Sequence, residues 1–268
     1  MSDQPQDPVV RVRREPPRFR RVTVGRLVRL TSRLSLVTFT GPDLDGFVVD
    51  EPAASVRLLV PPSGSDALVM GTWTGNEFLL PDGRRPGIRT FTPLRSDPAA
   101  LELDLAIVLH GEGVVSRWVE RARPGDEVAV SGPGRGYRID PDAPAFLLVG
   151  DESAAPALGQ VLAAVPSGTP VSVHVEVDDL DARPPLPEHP GAEVGWHRAE
   201  PGSTPGSAMV EAVRDAVITP GSRIWVAGEA AAVQRIRRHL FEDRGLSRSE
   251  ATVRGYWKHG RAGDVDEA

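Results

Sequence analysis

The strongest constraint on the fold is a change of pattern near residue 145. Before it, apolar residues come in short β-branched runs separated by glycine and proline, such as Val22–Leu30, Leu34–Thr40, Ser55–Val60, Arg89–Leu94 and Leu101–Leu109. Five or six such runs, closed by Gly/Pro turns, predict a small antiparallel barrel. Gly111–Arg123 predicts a helix, because Val114, Val115, Trp118, Val119 and Ala122 fall at helical spacing before Pro124-Gly125. Asp126–Ser131 returns to strand. After the change, Ala145–Gly150 is a continuous apolar run, the pattern of a strand buried on both faces. Helix and strand then alternate: a helix from Pro156 through Val165, strands Val171–Val177 and Glu193–Arg198, a helix Ser207–Ala216, a strand Arg223–Ala227, a helix Ala230–Arg244 and a last strand Ala251–Trp257. That order predicts a mostly parallel, doubly wound sheet with right-handed crossovers. The boundary falls in Arg138–Pro144. It separates a barrel domain over 18–140 from an α/β domain over 141–262, with 1–17 and 263–268 as flexible tails.

Composition excludes several functions. The chain has 268 residues, 40% of them hydrophobic, enough for a core in each domain. A net charge of −6 argues against non-specific nucleic-acid binding. Cysteine is absent, so there is no thiolate nucleophile, no Cys-type zinc site and no iron–sulfur cluster held by this chain alone. His174, His197 and His239 show no ligand spacing, so no protein-bound metal is expected. No apolar run approaches the roughly 18 residues of a membrane span. The arginine-rich start, Arg11 to Arg21, lacks the apolar core of a signal peptide and reads as a solvated leader. A cytoplasmic monomer is expected.

Two stretches carry chemistry: Gly87-Ile-Arg-Thr-Phe-Thr-Pro93, and Leu109-His-Gly-Glu-Gly-Val-Val-Ser-Arg-Trp118. The first is a strand with an arginine, an aromatic and two hydroxyls. The second is a strand end, a glycine turn and a helix start. A guanidinium can bridge a pyrophosphate with two prongs. The N–H groups at a helix start can take the same anion, and an aromatic offers a flat face to a flavin ring. The pair reads as a flavin dinucleotide cradle. The same residues also suit an ordinary barrel strand and loop, and His110 suits either a flavin contact or a plain strand end.

The order of motifs along the chain resembles a known family. Arg89-Thr-Phe-Thr92 is similar to the Arg-x-Tyr-Ser/Thr flavin signature of ferredoxin-reductase-like flavoproteins. Together with Val108–Gly113, Ser116-Arg-Trp118, Leu148–Ala154, Trp225–Ala230 and Gly255-Tyr-Trp-Lys258, it resembles the siderophore-interacting proteins, the ferric-siderophore reductases. The similarity runs from about residue 18 to 261. It implies that Arg89 binds the FAD pyrophosphate, Phe91 stands against the flavin, Thr92 bonds near flavin N5, and the Gly111–Ser116 turn, with Gly113, Val115 and the Ser116 hydroxyl, holds the phosphates. Thr90 belongs to the same strand. Asp151, Glu152 and Ser153 would lie where a nicotinamide enters. Arg57 matches a basic position facing the anionic siderophore, and Arg135 and Lys258 are further candidates for that pocket. Two departures stand out: Phe91 replaces the usual tyrosine, and the turn to Ser116 is a residue shorter than the common form.

The resemblance implies electron relay rather than acid–base catalysis. NAD(P)H or ferredoxin would reduce FAD, which would pass electrons to siderophore-bound Fe(III). Fe(II) is softer and less tightly held by hard oxygen ligands, so reduction releases it. Two alternatives stay open: a flavin or ferredoxin-type reductase with another acceptor, and a non-catalytic siderophore-binding module.

Overall fold

The structure is a computed structural model that describes residues 15–110 and 113–260. The expected flexible tails fall almost wholly outside the described residues, as do Gly111 and Glu112. The first lobe consists of β1 (Phe19–Arg29), β2 (Leu34–Thr40), β3 (Val56–Val60), a small hairpin of β4 (Thr72–Trp73) and β5 (Phe78–Leu79), β6 (Gly87–Phe91), β7 (Pro93–Asp97), β8 (Glu102–Val108), α1 (Val114–Arg121) and β9 (Glu127–Ser131). Seven of these strands form one antiparallel sheet in the order β6-β3-β9-β1-β2-β8-β7. Its edge strands, β6 and β7, are consecutive in the chain and meet through Thr92, so the sheet curls on itself as a half-barrel.

The inner face of this sheet alternates with period two, as a half-buried strand must. Val22, Val24, Val37, Phe39, Val56, Leu58, Val60, Leu103, Leu105, Val128 and Val130 turn inward. α1 plugs the curl with Val115, Trp118 and Val119, and Trp118 stacks on Phe39 at 6.3 Å between ring centroids. The predicted helix is trimmed to Val114–Arg121, because Ala122 takes an extended ψ and closes the last turn with its N–H on Trp118 O.

The second lobe holds β10 (Phe146–Asp151), α2 (Ala155–Ala164), β11 (Val171–Val177), β12 (Ala192–Arg198), α3 (Ser207–Asp215), β13 (Arg223–Glu229), α4 (Ala230–Arg238) and β14 (Ala251–Trp257). All five strands are parallel, in the order β12-β11-β10-β13-β14. β10 sits in the middle, which is why each of its residues is buried. α4 stops at Arg238 and continues as a π turn over His239–Asp243, where one helix to Arg244 was expected. Trp225 is fully buried, as a core residue should be, and meets Tyr256 edge-on at 6.2 Å. Among the described residues no helix is long and apolar enough to cross a membrane.

The lobes are stitched along one seam. Arg33, in the β1–β2 turn, donates through Nε to Glu152 at 2.9 Å and through Nη2 to Asp178. Gln160 on α2 donates to Pro93 O at 2.5 Å and accepts from Ala53 N at 2.9 Å. Arg254 on β14 donates to the carbonyls of Ala53 and Gly136 at 3.4 and 3.0 Å.

Candidate functional site

β6 lies on β3 with Gly87 opposite Val60, Arg89 opposite Leu58 and Phe91 opposite Val56. Directly opposed residues share a face, so Arg89 and Phe91 emerge on the inner side of the curl. There the first turn of α1 packs over the strand. A side chain at Gly87 would sit 3.2 Å from Val114 Cγ2. Phe91 and Val114 both rest against the barrel core, and Arg89 is half-buried between Gly87 and Phe91, with Nη1 donating to Ile88 O at 2.6 Å.

The start of α1 supplies the complementary half. Among the described residues no side chain caps it, its N-cap being Gly113. Its first-turn N–H groups, on Val114, Val115 and Ser116, have no acceptor inside the helix. A Cβ at Gly113 would lie 2.4 Å from Cε1 of the exposed His110 ring, which would have to swing aside. His110 itself is exposed, and its N–H donates to Ser116 Oγ at 3.3 Å. An anion held between a half-buried guanidinium and an uncapped helix start has suitable donors on both sides, so these residues fit a flavin dinucleotide's pyrophosphate.

One expected contact changes. The Ser116 side chain is buried and turned back to the end of β8, donating to Val108 O at 3.5 Å, so Ser116 offers its backbone N–H rather than a free hydroxyl. Val115 is buried in the barrel core, which leaves its backbone N–H for the phosphates. Gly111 lies outside the described residues. Thr90 is exposed and pairs with Arg57, on the face opposite Arg89. Thr92 is buried where the two sheet edges meet. Burial pushes the pKa of the Tyr256 phenol on β14 up, and the Thr92 hydroxyl works against the rise.

The three proposed substrate cations come from different elements. Arg57 is half-buried and pairs with Ser131. Arg135 is exposed a few residues beyond, beside a cleft of about 330 Å³ that it shares with Arg223 and Arg254. Lys258 is exposed past the end of β14. It lies four residues beyond Arg254, about 13 Å along an extended chain.

At the carboxyl edge of the parallel sheet, Asp151 and Ser153 face the chain itself. Asp151 Oδ1 accepts from Ser153 N at 2.9 Å and from Ser153 Oγ at 2.5 Å; Oδ2 accepts from Glu229 N at 2.9 Å and Trp257 Nε1 at 2.7 Å. Burial raises the Asp151 pKa, and these four donors oppose the rise. Trp257 reaches back to β10 with its indole, a contact that no local sequence pattern announces. Glu152 is pushed up by burial and held down by Arg33 and the Asp178 N–H. His174 Nδ1 stands 3.0 Å from His197 Nε2 on the neighbouring strand, although the two residues are not at ligand spacing in sequence. Among the described residues no group of three or more His, Cys, Asp or Glu could hold a metal ion.

A curled antiparallel sheet followed by a five-stranded parallel sheet with helices defines the ferredoxin-reductase-like class of fold. The family description "Siderophore-interacting FAD-binding domain" matches residues 23–137, and "Siderophore-interacting protein" matches residues 143–260. The two matches meet at the boundary between the lobes. A siderophore utilization protein from T. fusca superposes with a TM-score of 0.82 at 31% identity, covering 95% of this chain and 98% of that one. An uncharacterized Mycobacterium tuberculosis protein is 36% identical over 69% of this chain and 70% of its own length. The ferric vibriobactin reductase ViuB of Vibrio cholerae is 28% identical over 87% of this chain and 86% of its own. The chain belongs to the siderophore-interacting protein family, with a FAD-binding first lobe.

Proposed function

We propose that the chain is a FAD-dependent ferric-siderophore reductase, working as a cytoplasmic monomer. The observation that carries this reading is the placement of Arg89 on the strand face that the uncapped start of α1 covers. The matching family descriptions and the likeness to ViuB support it. When bound, FAD supplies the redox chemistry, accepting reducing equivalents from NAD(P)H or a ferredoxin and delivering them to Fe(III).

The chain's own residues bind and orient. Arg89 and the N–H groups of Val114, Val115 and Ser116 hold the pyrophosphate, and Gly113 lets the turn close over His110. Phe91 gives the ring an apolar wall without the hydroxyl of a tyrosine. Gln160 on α2 holds the carbonyl of Pro93, next to Thr92, which ties the flavin strand to the second lobe. Arg57, Arg135 and Lys258 provide positive charge for an anionic ferric chelate. No proton transfer between protein groups is needed, because the substrate Fe(III) changes only its electron count.

The test is anaerobic reduction of ferric hydroxamate, ferric catecholate and free flavin by the FAD-loaded protein, with Fe(II) trapped by a chromogenic chelator. Fe(II) formation from at least one ferric chelate is expected. Activity on free flavin alone would favour a general flavin reductase, and a protein that cannot be loaded with FAD would favour a siderophore-binding module.

A further inference from the structure

Both the fold and the family resemblance point to a nicotinamide dinucleotide at the carboxyl edge of the parallel sheet. Such ligands enter where the strand order reverses, with the pyrophosphate on a helix N-terminus. Here the reversal lies between β10 and β13. That crevice already holds a carboxylate. Asp151 spans it, accepting from Glu229 N on β13 and Trp257 Nε1 on β14. Gly228 has φ 154°, and a Cβ there would lie 2.6 Å from Asp151 Oδ2.

The neighbouring helix starts are filled in the same way. Glu176 accepts from Gly206 N at 2.7 Å and Met209 N at 2.9 Å, at the start of α3. Glu229 accepts from Ala232 N at 2.9 Å in the first turn of α4, and from His259 N at 3.2 Å. All three carboxylates are buried, at 7%, 6% and 2% exposure for Asp151, Glu176 and Glu229. Glu152 and Asp178 add two more at the same edge, and Arg33 is engaged by both. Arg198 is exposed at the end of the outermost strand β12, and Lys258 is exposed between Trp257 and His259, which bond Asp151 and Glu229. A pyrophosphate arriving here meets N–H donors already satisfied and charge of its own sign, so these residues do not fit a dinucleotide.

We infer that this chain takes no nicotinamide dinucleotide at its sheet edge. The inference rests on the reductase reading above.

The test uses the full FAD-loaded chain under anaerobic stopped flow, following the flavin band near ~450 nm. Dithionite should bleach the band at once. NADPH and NADH should bleach it at least ~100-fold more slowly, with a rate linear in concentration. Calorimetric titration with NADP⁺ should show no binding. Bleaching that saturates at micromolar NADPH or NADH overturns the inference. The reductase reading is separated by reducing the protein with dithionite and adding a ferric chelate. Reoxidation keeps that reading whichever donor wins, and no reoxidation removes it.

Discussion

At the residue scale, Arg89 and Asp151 illustrate two fates of a charged side chain. Arg89 lies half-buried beside helix donors that no side chain caps. Charge-assisted hydrogen bonds to a ligand contribute about 1.5–3 kcal/mol each. Arg89→Ala should therefore weaken FAD binding about 10–100-fold, with Arg89→Lys recovering part of it, as read by flavin fluorescence titration. Gly113→Ala should weaken it too, because the new methyl must displace the His110 ring. Asp151 is the opposite case: its carboxylate is consumed by four donors from its own chain. Asp151→Ala should cost about 3 kcal/mol by orphaning buried N–H groups. Urea unfolding should show a lower midpoint at constant slope, and an unchanged midpoint would refute the structural role.

At the scale of elements, β11 and β12 carry a titratable contact that their sequences do not advertise. His174 is held below its ordinary pKa of 6.5 by burial and by the neighbouring His197. A native ring that resists protonation binds fewer protons than the unfolded one. The stability it contributes is present above pH 6.5 and is lost as the pH falls toward the lower native value. Thermal unfolding between pH 7.5 and 5 should show this loss, and His174→Asn should flatten the acid side of the profile. A slope unchanged in the variant would assign it to other groups. The strands themselves were legible in sequence, because β-branched alternation in the first lobe and apolar continuity in Phe146–Asp151 are local properties. The end of α4 was not. The helical spacing continues past Arg238, while the backbone opens into a π turn over His239–Asp243.

For the whole molecule, the decisive feature is the seam between lobes. Arg33 comes from the first lobe and binds Glu152 and Asp178 of the second, 119 and 145 residues away. Glu152 is buried, so removing its cation leaves a poorly solvated charge. Arg33→Ala should destabilise the protein by about 1–3 kcal/mol and loosen the second lobe first, seen as faster amide exchange around β10 and β11. Uniform exchange across both lobes would count against a latch at this position. Because Gln160 bonds Pro93 O beside Thr92 across the same seam, the variant should also lower FAD retention during gel filtration.

The sequence alone determined the two lobes, their order and the stretch that carries Arg89. All of these follow from periodicity and residue type among near neighbours. The tertiary structure alone decided that Asp151, Glu176 and Glu229 spend their charge on the chain's own N–H groups, and that Ser116 turns inward. Those outcomes depend on which carboxylate meets which helix start once strands β10 to β14 are side by side. Residues separated by 30 to 106 positions leave no local pattern from which such pairings can be read.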